Sequence, residues 1–189
     1  MKRIVFPLLS LFMIGCGNDP LPKPKGYLRL DYPEAKYQKT DIPLPFTFEQ
    51  NKLSDPIRKV KSLGSTKGIE VKYPKLKATI YLNYKTVTST NLDSLLRDAQ
   101  NLTQKHTMKA DEISQNLYEN IEQNVFGMLY EVGGNAASQS QFYVSDSINH
   151  FLSGSLYFYA KPNYDSIYPA SEYLKNDIKR IMESIEWIK

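Results

Sequence analysis

Along much of the chain polar and apolar residues take turns, and in two longer stretches the apolar ones recur every third or fourth position. The first regime opens with Gly26-Tyr27-Leu28-Arg29-Leu30-Asp31-Tyr32-Pro33, where Tyr27, Arg29 and Asp31 alternate with Leu28, Leu30 and Tyr32. Such alternation predicts a half-buried strand or an extended arm lying on the domain, ended by Pro33. A second extended piece covers residues 44–49, with Phe46 and Phe48 on one side and prolines that assign it to a sheet edge. Residues 51–68 are polar and broken by Pro56, Gly64 and Gly68, which predicts a loop with at most one helical turn. Residues 69–73 and 78–84 are rich in β-branched and aromatic side chains and read as strands, joined by a turn at Pro74-Lys75-Leu76-Lys77.

The helical period then takes over. Asn91 supplies an N-cap side chain, and Leu92, Leu95, Leu96, Ala99 and Leu102 share one face of a helix that fades near 106–108. Residues 113–160 predict an antiparallel meander with strands at 116–120, 127–132, 139–144 and 151–159, and turns at Gly133-Gly134-Asn135 and Ser145-Asp146-Ser147. Pro169-Ala170-Ser171 opens a last helix, whose Leu174, Ile178, Ile181, Met182 and Ile185 keep the period as far as Trp187. The order strands, helix, strands, helix predicts an α+β fold. The expectation is a single domain over 26–189: a twisted, mainly antiparallel sheet covered by two helices, at about 91–107 and 171–186, both on the same sheet face.

The N-terminus follows another logic. Lys2 and Arg3 precede an uncharged run over 4–14 that ends in Gly15-Cys16. A transmembrane helix needs about 20 apolar residues, so this run has the length of a signal-peptide apolar region instead. Its ending resembles a bacterial lipobox, in which the Cys thiol is joined to a diacylglycerol and becomes the first residue of the mature protein. Residues 1–15 are then a lipoprotein signal peptide, and 16–25 an acylated Cys16 followed by a tether with three prolines in Gly17-Asn18-Asp19-Pro20-Leu21-Pro22-Lys23-Pro24-Lys25. Proline-rich backbone makes a semi-rigid spacer between lipid and domain. Gly17 after Cys16 favours the outer membrane over the inner, with the domain facing the periplasm.

Composition narrows the chemistry. One Cys, spent on the anchor, forms no internal disulfide, and two distant His leave too few soft ligands for a transition-metal centre. The formal net charge of +4 loses Lys2 and Arg3 with the leader and is scattered, so nucleic acid is not expected. No serine stands in a nucleophile elbow, and Gly64-Ser65-Thr66-Lys67-Gly68 lacks the spacing of a phosphate loop. His106, near the end of the first helix, and His150, at the mouth of a strand, read as surface or boundary residues; Asp111 and Glu112 read as a solvated loop. No cofactor and no catalytic residue is expected. Tyrosine is the informative excess, at 14 residues: Tyr157 and Tyr159 share a strand face and Tyr81 lies among apolar neighbours, so an exposed aromatic ladder or a simple sheet cover both fit. The segment after the tether is placed to meet a neighbouring envelope protein, with Tyr27, Arg29 and Tyr32 as its contact residues.

The lipobox ending at Gly15-Cys16, the Pro20-Leu21-Pro22-Lys23-Pro24-Lys25 tether, the Gly26 to Pro33 motif and the terminal Ser184-Ile185-Glu186-Trp187 together resemble the gliding-motility lipoprotein D family (GldD) of the Bacteroidota. The resemblance implies a non-enzymatic lipoprotein needed for gliding over surfaces and for the associated type IX protein secretion, with other envelope proteins of that machinery as partners. Only Cys16 carries over as a functional position. The strand order and the closing helix are also similar to small PsbP/Mog1-type domains. The competing expectation is a membrane-tethered domain that binds or hydrolyses glycans or lipids, its exposed tyrosines stacking on sugars.

Overall fold

The computed structural model describes residues 26, 30–60, 66–104, 110–160 and 163–188. Cys16, Tyr27, Arg29 and His106, with the expected signal peptide and tether, lie outside the described residues. The N-terminal part of the domain contributes short pieces: β1 (Tyr37–Lys39), β2 (Phe46–Thr47) and β3 (Glu49–Asn51), followed by β4 (Arg58–Val60). β5 (Lys67–Tyr73) and β6 (Ala78–Thr86) are joined by a 3-10 turn at Pro74–Leu76, closed by Lys77 in the left-handed region with its N–H on the Pro74 carbonyl. Then come α1 (Leu92–Gln104), the meander β7 (Ala110–Asn120), β8 (Val125–Gly134), β9 (Ser140–Ser145) and β10 (His150–Phe158), α2 (Tyr164–Glu183) and β11 (Glu186–Trp187).

Seven strands form one antiparallel sheet in the order β4-β5-β6-β10-β9-β8-β7, and β1 pairs β3 while β11 pairs β2 in two small ladders. The alternation legible in β5 and β6 has its cause on one face. Ile69, Val71, Tyr73, Ile80, Leu82 and Tyr84 point to the same side and join Leu152, Leu156, Phe142 and Val144 in the main core. Leu174, Ile178, Ile181 and Met182 of α2 close that core, with Phe46 and Phe48 beside them. Gly154 sits mid-strand because a Cβ there would stand 2.1 Å from the Phe142 ring, which lies across the sheet at that point. The β9–β10 turn is built by Asp146, whose Oδ1 accepts the N–H groups of Ile148, Asn149 and His150 at 3.0, 2.8 and 2.7 Å.

The α+β architecture, the mainly antiparallel sheet and the two helices agree with expectation. The helices do not share a face. α1 packs through Leu92, Leu95, Leu96 and Ala99 on Val87, Phe151 and Tyr143, on the side of the sheet opposite α2. The path from β6 to the far edge strand β7 must cross β10, β9 and β8, and α1 occupies that crossing on its own face of the sheet. Four boundaries also differ. β4 pairs with β5 where a loop is predicted, and its three exposed residues carry no apolar pattern. β7 begins at Ala110, so Asp111 and Glu112 lie in a strand, at a register shift against β8. α2 begins at Tyr164, with Pro169 inside it; the Asn135 Oδ1 accepts the Tyr164 N–H and holds the first turn from outside. It ends at Glu183, capped by Ser184, because Glu186 and Trp187 turn away to pair with Thr47 and Phe46.

Candidate functional site

Counting along the apolar stripe of α2, Leu174, Asp177, Ile178 and Ile181 fall on one face, and the carboxylate at the second of these positions is 1% exposed. Its partners come from three other elements. The Tyr37 hydroxyl of β1 donates to Oδ1 at 2.7 Å, and the Asn51 Nδ2 of β3 reaches both oxygens at 3.1 and 3.0 Å. The Tyr73 hydroxyl of β5, on a fully buried ring, faces the same carboxylate, off hydrogen-bond geometry. Asn51 Nδ2 also donates to the Tyr173 hydroxyl at 3.1 Å, which in turn donates to the Pro33 carbonyl at 3.0 Å. The Tyr32 ring stacks on Tyr173 at 4.9 Å, so the predicted arm is, over its described residues, a segment laid on α2 rather than a strand. Arg180 lies over the Tyr37 ring and pairs with Glu49.

Burial pushes the Asp177 carboxyl up, and the hydrogen bonds from Tyr37 and Asn51 oppose the rise. Burial first, and then the bond to Asp177 and its charge, push the Tyr37 hydroxyl well above the ordinary phenol range; Tyr73 is raised mainly by burial. The arrangement ties β1, β3 and the segment after the tether to α2. Asp177 is too enclosed to meet a substrate.

The tyrosine patch lies elsewhere, on the α1 side of the sheet. Tyr81 and Tyr157 meet edge to face at 5.8 Å, and the hydroxyl of Tyr159, which follows the end of β10 and is 57% exposed, lies 2.8 Å from Thr79 Oγ1 and 3.1 Å from the Tyr81 hydroxyl. That hydrogen bond, then burial, push the Tyr81 hydroxyl up to about 12. A polar cleft of about 210 Å³ separates the first half of α2 from β7 and β8, with Glu112, Ser114 and Tyr168 in its walls. Within it Lys175 bridges Glu131 at 3.1 Å and Glu172 at 2.7 Å. Burial alone would lower the Lys175 ammonium, but these two carboxylates outweigh it and raise it. Among the described residues no group of three His, Cys, Asp or Glu is placed to hold a metal ion, and no helix is long and apolar enough to cross a membrane.

His150 stacks on Trp187 with ring centroids 4.9 Å apart and 4° between planes, and its Nδ1 lies 2.8 Å from the Tyr84 hydroxyl. Burial lowers its pKa below the usual imidazole value of 6.5, against the opposing charge of Asp146. A group depressed in the folded state contributes stability that is present above its unfolded pKa and lost as pH falls through the folded one. An imidazolium quenches a stacked indole, so the emission of Trp187 should drop on acidification with a midpoint below 6.5. His150→Phe should remove that step; a midpoint above 6.5 would show that the ring is not desolvated.

Sequence reasoning missed Asp177, although a carboxylate within the apolar stripe of a helix is a readable signal. Of the expected contact residues only Tyr32 is described, and it joins this network. The comparisons with known proteins bear on the whole chain. No curated protein matches it and no solved structure does, so the likeness to PsbP/Mog1-type domains is not confirmed. One family model, described as gliding motility lipoprotein GldD, matches residues 17–187. That match starts next to Cys16 and runs through the tether, the sheet and both helices to Trp187, so the chain belongs to the gliding motility lipoprotein GldD family.

Proposed function

We propose that the protein is a non-enzymatic lipoprotein, acylated at Cys16, that serves gliding motility and the associated type IX secretion as a scaffold or stabiliser, by binding other envelope proteins of that machinery. Its membership of a family of gliding motility lipoproteins supports the process. The observation that carries the scaffold role is the clamp on the segment following the tether. Tyr32 on Tyr173, Pro33 on the Tyr173 hydroxyl, Tyr37 on Asp177 and the β1–β3 ladder fix the chain to α2 where it enters the domain. A joint of this kind fixes the point at which the chain enters the domain, which a positioning protein needs and a freely diffusing enzyme does not. The outer membrane, with the domain in the periplasm, is the setting that fits Gly17. Tyr27, Arg29 and Tyr32 form the partner-binding arm in this reading, with the Tyr32 stack fixing its base.

Pull-down from native membranes tests the arm. Tyr27→Ala should recover several-fold less of the partners held by the wild type at equal bait levels; equal recovery would remove the arm from the interface. Glycan binding is the second reading, favoured by the exposed Tyr159, whose hydroxyl meets that of Tyr81 beside the half-buried Tyr157.

A further inference from the structure

A seven-stranded open sheet has two edges, and here they are guarded very differently. β4 is three residues long, Arg58-Lys59-Val60, and two of the three are cations. Short, charged edges are how soluble proteins keep a free row of N–H and C=O groups from recruiting another strand. β7 is eleven residues long, and among the described residues only β8 pairs with it. From Ala110 to Asn124 the sequence has no Lys, Arg or Pro. The single irregularity is the register shift between Ala110 and Glu112, so residues 113–120 form a regular free edge. At about 3.4 Å per residue that edge runs for about 27 Å.

Its side chains add a charge and an apolar contact. Asp111, Glu112, Glu119 and Glu122 are all acidic in a chain whose formal net charge is +4. The ion pairs among the described residues engage Glu49, Glu70, Glu131, Glu172 and Glu186, and none of these four. Leu117 is 69% exposed in the strand and Ile121 77% exposed in the turn after it. We propose that β7 is a docking edge for an extended strand of a partner protein that carries Lys or Arg together with an aliphatic side chain to cover Leu117. A second copy of this chain fits poorly: two β7 strands side by side bring together two acidic clusters with no Lys or Arg over 110–124 to offset them, and like charges across an interface oppose association. A basic strand instead gains the backbone ladder for affinity and the side-chain match for choice of partner. This deepens the scaffold reading and rests on it.

The test uses the full lipidated chain in its native membranes, with a photoreactive benzophenone side chain in place of Leu117, of Lys59 on the opposite edge, or of Tyr27 in the arm. Irradiation should give an adduct from position 117 and none from 59, and mass spectrometry should place the crosslink in a partner segment rich in Lys and Arg. Glu119→Lys, a surface change, should lower the yield from 117 several-fold at unchanged protein level. No adduct from 117, an adduct with a second copy, a crosslink in an acidic segment, or a yield unmoved by Glu119→Lys would each overturn the proposal. An adduct from 27 alone leaves the scaffold reading standing while the edge proposal falls; adducts from none of the three positions would sink both.

Discussion

Asp177→Ala is expected to cost the domain about 3–5 kcal/mol, because it strips the acceptor from the buried Asn51 amide and the part-buried Tyr37 hydroxyl at once. The Tyr37 hydroxyl and the Asn51 amide would lose this partner, and the buried Tyr73 hydroxyl would lose the carboxylate it faces. For a domain of this size each kcal/mol moves the thermal midpoint by about 2–4 °C, so a fall of about 6–20 °C should be measured. Asp177→Asn should cost less, since its remaining oxygen can accept from Tyr37 while its amino group meets that of Asn51. The pH dependence separates charge from shape. Burial raises the folded pKa of Asp177 above that of the unfolded chain. The native state then holds the proton more tightly, so this group's contribution is full below the unfolded pKa and is lost as pH rises through the folded one. Chemical denaturation should accordingly show the margin of wild type over Asp177→Asn shrinking as pH rises from the ordinary carboxylate range. A margin that grows with pH would mean that hydrogen bonding, and not burial, dominates at Asp177.

What the pattern of residues disclosed, and what it hid, follows from burial. β5 and β6 were legible because one face of each is sealed against α2 and the other is polar, which enforces strict alternation. β4 and the start of β7 were not, because an exposed edge strand needs no apolar period. Both helices show an apolar stripe, but a stripe says only that a face is buried; the side of the sheet it covers is a long-range fact. The start of α2 was concealed by Pro169, which reads as a first-turn residue and here lies inside the helix. The tyrosine excess was visible as a count. That Tyr37, Tyr73 and Tyr173 converge around Asp177 depends on β1 pairing β3 and on α2 packing over β5, contacts that local spacing does not encode.

The proposed anchor at Cys16 is read from a lipobox, a local signal that needs no fold. Cys16→Ala should move the protein from the membrane to the soluble envelope fraction. Each buried CH₂ contributes about 0.8 kcal/mol and one acyl chain alone binds only marginally, so the proposed attachment through Cys16 needs a full set of chains at that residue. Among the described residues no helix is long and apolar enough to cross a membrane. Retention of Cys16→Ala in washed membranes at the wild-type level would show that something other than the lipid holds it there.

Anchoring matters to the account only if the scaffold works at the membrane. The decisive measurement is gliding and secretion in cells whose sole copy begins after Cys16, behind a cleavable export leader that leaves no lipid, with the exported domain confirmed folded by the emission of Trp187. The account predicts that these cells neither glide nor secrete normally while holding wild-type amounts of folded domain. Normal gliding and secretion by the soluble domain would contradict it.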